Sequence, residues 1–177
     1  MYSIANHSIK KVPNDLLRDM MLNKHYLKTM PRGCKYVYGL YNNGALIGGC
    51  MIGHPVGANV EKNTLELKRF YLEPDCEKNT ASWFMSRCIR DLKNITKNII
   101  TYADPREGHT GVIYKACNFV YMGKQKQGTP YYKVKGKKIW SNNIFRQDDD
   151  TIVKILSGQL KLSREPQKHI FKYSLDK

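Results

Sequence analysis

Ile100-Thr101-Tyr102-Ala103-Asp104-Pro105-Arg106-Glu107-Gly108-His109-Thr110-Gly111 is the stretch that decides the fold of this 177-residue chain. An apolar run from Asn98 to Ala103 predicts a buried strand, and it delivers a carboxylate, Asp104, to its end. Pro105 forces the chain out of the strand, and Gly108 and Gly111 let the backbone approach a ligand closely before a short helix opens toward Cys117. Ligands of α/β sheets bind outside the carboxyl ends of strands, so Asp104 stands either where chemistry is expected or as the cap of the turn that follows.

Working outward, Thr64 to Leu72 reads as a further strand, with Leu65 and Leu67 alternating with Glu66 and Lys68. Asn79 and Thr80 open a helix through Lys93, whose Phe84, Cys88 and Leu92 fall on one line. Two β-prone runs, Tyr36 to Tyr41 and Ala45 to Gly53, flank Asn42-Asn43-Gly44, the chemistry of a tight hairpin turn. Pro13 starts a first helix to about Asn23, on the spacing of Leu16, Leu17, Met20 and Met21. Strands near Phe119 to Met122 and Tyr131 to Val134 are expected to close the sheet. A helix around Ile152, Ile155 and Leu156 and a strand from Ile170 to Leu175 follow. A meander mixed with βαβ crossovers predicts one α/β domain, a mixed sheet with helices on both faces. Residues 1–147 are expected to form it, with 148–177 an appended helix and strand packing on the same domain.

Composition bounds the function. No apolar run approaches 18 residues, and the first 13 residues lack the apolar core of a secretory signal, so a soluble, cytoplasmic protein is expected without a membrane partner. The five cysteines are odd in number and never spaced C-x-x-C, which points away from disulfide frameworks and zinc knuckles. The net charge is +15 and uneven: ten basic residues face seven acidic ones over Met1 to Glu77, and twenty face eight beyond. From Gly108 to Gln147 there is no Asp or Glu, while Lys133, Lys135, Lys137, Lys138 and Arg146 stand among Tyr131, Tyr132, Trp140 and Phe145. Basic side chains screen phosphates and aromatic ones stack on extruded bases, which suits double-stranded DNA. The plainer alternative is a solvated basic face beside ordinary strand aromatics.

Tyr102-Ala103-Asp104-Pro105, Gly108-His109, Gly111, Tyr114, Ala116 and Asn118 together resemble the signature of the Mom-like phage DNA-modification proteins. Leu65-Glu66-Leu67-Lys68-Arg69 and His25-Tyr26 extend the resemblance over roughly residues 20 to 125. It implies the fold of the GNAT acyltransferases, whose central parallel strands splay to admit acyl-CoA or acetyl-CoA. It also implies transfer of a glycinamide-like (carbamoylmethyl) or acyl group to the N6 amine of adenine in phage DNA, protecting it from restriction. Two alternatives stay open: an N-acetyltransferase acting on a protein or small amine, and a non-catalytic DNA-binding module. Monomer and dimer are both open.

Candidate residues follow from both lines. Asp104 is the candidate base, with Glu66, on the polar side of its strand, as the second carboxylate; each has a structural role as its alternative, cap or exposed strand residue. By resemblance Tyr114 stands where GNAT enzymes return a proton to the leaving thiolate; otherwise it is a core aromatic. His25 and His109 are candidates to shuttle a proton or, with Asp104, to ligate a metal, and His25 alternatively holds the base. Arg69, Lys78, Asn79, Thr80, Ser82 and Asn118 are expected on the donor. GNAT phosphate loops are glycine-rich, but Glu73-Pro74-Asp75-Cys76-Glu77-Lys78-Asn79 has no glycine. Tyr26, Lys28, Arg106, His109, Lys135, Lys137 and Lys138 are expected to face nucleic acid.

Overall fold

The structure, a computed structural model, describes residues 3–56 and 60–176. Ten strands and three α-helices are formed among them. A seven-stranded mixed sheet carries the fold. β1 (His7–Lys11), β2 (Cys34–Asn42), β3 (Ala45–Gly53) and β4 (Thr64–Leu72) form an antiparallel meander. β5 (Asn98–Ala103) then runs parallel to β4 after a crossover through α1 (Thr80–Arg90). α2 (Val112–Ala116) leads to β6 (Val120–Lys124).

β4 and β5 pair only at Thr64–Asn98, Leu65–Ile99 and Glu66–Ile100. At the next step the ladder gives way to a side-chain bond, in which the Thr101 hydroxyl donates to the Leu67 carbonyl (3.1 Å). Beyond that fork the strands part, as a splayed GNAT sheet requires, and a slot opens between their carboxyl ends.

Two cores lie on opposite faces of the sheet. The period-2 alternation of the strands sends Tyr38, Leu40, Cys50 and Ile52 to one face, where they pack with Phe84, Met85, Cys88 and Ile89 of α1. Val37 and Met51 point to the other face, against Leu17, Met20 and Met21. Each fully buried large side chain contributes about 1.5–3 kcal/mol by leaving water.

The segment predicted as a first α-helix differs. It is a 3-10 turn over Asn14–Leu17 followed by a wide π-type turn over Met20–Lys24, closed by the His25 amide donating to the Met20 carbonyl (2.9 Å). The change of pitch seats Leu17, Met20 and Met21 on the sheet and turns His25 inward, leaving it 5% exposed. α1 also stops at Arg90, three residues short of the expected Lys93.

The closing strands differ too. β7 (Pro130–Val134) does not join the main sheet; it pairs with β8 (Lys137–Trp140) and β9 (Leu162–Arg164) in a separate three-stranded sheet. The main sheet is completed by β10 (His169–Ser174), inserted antiparallel between β5 and β6, because its Phe171, 1% exposed, fills the core there. Residues 125–168, holding β7, β8, α3 (Asp149–Leu156) and β9, therefore form an insertion between the sheet's last two strands in sequence.

That insertion is tied back to the sheet where Gly128 meets the chain near Glu165. A Cβ at Gly128 would lie 1.5 Å from the Glu165 carbonyl oxygen. Gly111 is equally constrained: its φ is +78°, and a Cβ there would lie 2.1 Å from the Phe171 ring.

Candidate active site

The slot between the parted strands is a cavity of about 350 Å³. Leu67 to Phe70 form one wall, and Thr101 and Tyr102 the other. Gly108 to Tyr114 close it from the loop and α2, and His25 and Tyr26 come from the turn after the π-type segment. Among these described lining residues none is Asp or Glu.

The cavity's electrostatics are set by donors. The Arg69 guanidinium is steadied by neutral acceptors: Nη1 donates to the Lys68 carbonyl (2.7 Å), Nη2 to Thr29 Oγ1 (3.0 Å) and Nε to the Thr29 carbonyl (3.4 Å). A guanidinium held this way keeps its positive field for an incoming anion. Lys68 donates its ammonium to the Arg32 carbonyl (2.9 Å).

His25 is neutral, its pKa pressed down to about 4, first by burial and then by the positive charge of Arg69. Its Nδ1 accepts the Leu27 amide (3.1 Å), so the proton of the neutral ring sits on Nε2 and the ring offers a donor. Its ring stacks on Tyr26 at 4.5 Å, and Tyr26 meets His109 edge-on at 4.9 Å, so the three rings make one continuous wall. Burial raises the Tyr26 phenol to about 12. Tyr114, packed at 5.3 Å against Phe171 with the Thr101 hydroxyl beside it, is likewise held protonated by burial.

His25, Tyr26, Arg69, His109 and Tyr114 are thus brought together. Asp104 is not. It does not line the cavity and is 0% exposed. Its Oδ1 accepts the Arg106 amide (3.1 Å) and Nε (2.9 Å), and its Oδ2 accepts Arg106 Nη2 (2.5 Å), with Lys168 Nζ at 3.6 Å. The hydrogen bonds from Arg106 hold its pKa down to about 2. Both carboxylate oxygens of Asp104 thus accept from Arg106, the geometry of a clamp on the loop after β5 rather than of a free base.

Arg106 in turn pairs with Glu165, which also accepts Lys138 Nζ (2.6 Å). Arg106 and Lys138, expected on nucleic acid, both pair in this half-exposed network, whose buried members are Asp104 and Glu165 and which joins the loop after β5 to the insertion. Glu66 also stands outside the cavity, accepting the Val56 amide (3.0 Å). Sequence reasoning had no way to see these partners, because Arg106 and Glu165 are 59 positions apart.

The residues expected on a donor separate into three places. Arg69 is in the cavity. Lys78, Asn79, Thr80 and Ser82 stand at the amino end of α1, where Thr80 is 0% exposed with its hydroxyl unpartnered among the described residues. Asn118 lies apart, in a groove with Arg90 and Lys93 between α1 and β10. Lys135 and Lys137 line a second groove, of about 680 Å³, between β7, β8 and α3, with Trp140 and Lys154. Lys28, exposed, sits just beyond Tyr26 with φ +46°.

The family model of the Mom protein family matches residues 6–175. The chain belongs to the Mom protein family. The methylcarbamoylase Mom of Escherichia phage Mu is 26% identical over 141 residues, covering 73% of this chain and 57% of the phage Mu protein, so this chain spans little more than half of that relative's length. Solved structures agree on the fold. An N-acetyltransferase from Staphylococcus aureus Mu50 superposes with a TM-score of 0.58 at 14% identity, over 97% of this chain and 99% of that one. The spermidine N-acetyltransferase of Vibrio cholerae, in complex with CoA and spermine, does so with a TM-score of 0.55 at 11% identity, over 98% of both chains. Mom-family membership and the acetyltransferase fold therefore coincide on one splayed sheet.

Proposed function

We propose that this chain is a transferase that places a carbamoylmethyl or acyl group on the exocyclic N6 amine of adenine in DNA, shielding phage DNA from restriction in the host cytoplasm. The observation that carries the reading is the cavity between β4 and β5, whose described lining holds Arg69, Lys68, two histidines and three tyrosines and no carboxylate. A cationic amine such as a polyamine or a lysine side chain would be repelled there. A neutral base carried on a phosphate backbone would be drawn in. Family membership and the phage Mu relative, a methylcarbamoylase, support a group-transfer reaction.

An acyl-CoA donor fits the chain's residues in part. The amino end of the eleven-residue α1 follows the turn after β4, and its dipole favours an anion there. Of the three acids in that turn, Glu73 is engaged by Lys24 (2.5 Å) and Glu77 by the Ile4 amide (2.8 Å), so Lys78 is set against Asp75 alone. Lys78 and Ser82 would hold the phosphates, and bound there the cofactor would supply an activated carbon on a thiolate leaving group. Tyr114, kept protonated by burial, is the acid for that leaving group. Arg69 and the Nε2–H of His25 orient the acceptor, and the stacked rings of His25 and Tyr26 provide a flat surface for an extruded base. Lys135 and Lys137 of the insertion grip the duplex, whose target base must leave the stack before its amine can react.

Restriction tests this reading. Plasmid DNA from bacteria expressing the chain should resist endonucleases whose sites contain adenine, and DNA from cells expressing Tyr114→Phe should be cut more readily. Complete cleavage of the DNA from both would reject a DNA substrate.

A further inference from the structure

We propose that His109 is the general base of the transfer, the group that accepts the proton leaving the target amine. The proposal rests on the cavity being the site of a DNA base.

The exocyclic amine is a weak nucleophile, because its lone pair is delocalised into the ring. Its electron pair forms the bond to the donor's electrophilic carbon as that carbon's bond to its leaving group breaks. The amine's proton must pass to a base at the same time. The leaving group departs with the bonding pair and is protonated by Tyr114.

The cavity leaves one candidate for that base. Lys68 and Arg69 are donors only. Tyr26, Tyr102 and Tyr114 keep their protons, because burial raises all three phenols. His25 has spent its free lone pair on the Leu27 amide and presents an N–H. Asp104 is sealed beneath Arg106, and Glu66 accepts an amide outside the cavity. His109 remains. It is exposed, it lines the cavity, and among the described residues its ring nitrogens have no hydrogen-bond partner, so one of them keeps an available lone pair.

The loop around it is built to hold it there. The His109 amide donates to the Asp104 carbonyl (3.3 Å), and so does that of Glu107 (3.2 Å). Gly108 and Gly111, with φ of +68° and +78°, bend the chain on either side. The His109 ring is fixed edge-on against Tyr26 (4.9 Å).

Purified full-length chain, plasmid DNA and a clarified extract of the host cells as donor source give the assay, read by mass spectrometry of the digested nucleosides. His109→Ala is expected to lower modification by ~100-fold, the usual size for a lost base. The duplex affinity of His109→Gln, which keeps bulk and a hydrogen-bonding group in place of the ring, should fall far less than its modification rate. Free imidazole should restore part of the lost modification in His109→Ala and none in Tyr114→Phe. His109→Gln, which keeps the size and hydrogen bonding but not the basicity, should be as slow as His109→Ala. A folded His109→Gln chain working near the wild-type rate, or one whose loss of modification is matched by an equal loss of DNA affinity, would overturn the proposal. A wild-type chain that leaves all DNA unmodified would overturn the DNA reading beneath it.

Discussion

Replacing His25 by Gln should make the stability of this chain markedly less sensitive to mild acid. In the folded chain the imidazole is 5% exposed, stacked on Tyr26 and bound through Nδ1 to the Leu27 amide, and its pKa falls from 6.5 to about 4. Between those two values the unfolded chain takes up a proton that the folded chain refuses, so stability falls as pH falls. At about pH 5 the unfolded imidazole is nearly all charged and the folded one nearly all neutral, which amounts to a loss of about 2 kcal/mol relative to about pH 7.5. Urea unfolding at the two pH values, for wild type and His25→Gln, isolates the effect. His7, whose pKa burial also lowers, is common to both chains and cancels. The acid-induced loss should be smaller in His25→Gln by about 2 kcal/mol. An equal loss in the two proteins would refute the neutral, amide-locked imidazole, and with it the assignment of His25 as a donor.

Gly111→Ala combines a positive φ with a Cβ 2.1 Å from the Phe171 ring, so it should cost at least about 2 kcal/mol in denaturant unfolding; a change below about 0.5 would show that the ring moves freely. Asp104→Asn removes the buried carboxylate that holds the part-exposed Arg106 and should destabilise by about 1–2 kcal/mol, with wild-type acid unfolding steepening only as pH falls from 3.8 toward about 2; near-wild-type stability would show that the clamp is dispensable. Lys135→Glu with Lys137→Glu should weaken duplex binding at moderate salt and lower the slope of log affinity against log salt by about one for each lysine that meets a phosphate; unchanged binding would place DNA elsewhere.

Much of this architecture is legible in the sequence because its cues are local. Asn-Gly fixes the β2–β3 hairpin, alternating leucines mark β4, and Asp104-Pro105 ends β5. The cavity's His25, Tyr26, Arg69, His109 and Tyr114 are legible as well, since each falls in one of the short motifs that carry the Mom resemblance. What is not legible depends on partners far along the chain. Asp104 looks like a base until Arg106, Lys168 and Glu165 are placed around it, and that placement depends on β10 entering the sheet between β5 and β6. The apolar spacing of Leu17, Met20 and Met21 is satisfied equally by an α-helix and by two turns of different pitch, so periodicity alone chooses the commoner form. His109 gives no signal in the sequence that separates it from His25. Only the Leu27 amide on one ring, and the lack of a partner on the other among the described residues, tells a donor from a base.

Tandem mass spectrometry of nucleosides from DNA of cells expressing the full chain tests the central claim most directly, because it identifies both the transferred group and the atom that carries it. The account predicts a modified deoxyadenosine whose added mass fragments with the N6 nitrogen, present with the wild-type chain and greatly reduced with Tyr114→Phe. Unmodified deoxyadenosine throughout, alongside acylated polyamines or proteins in the same cells, would contradict it.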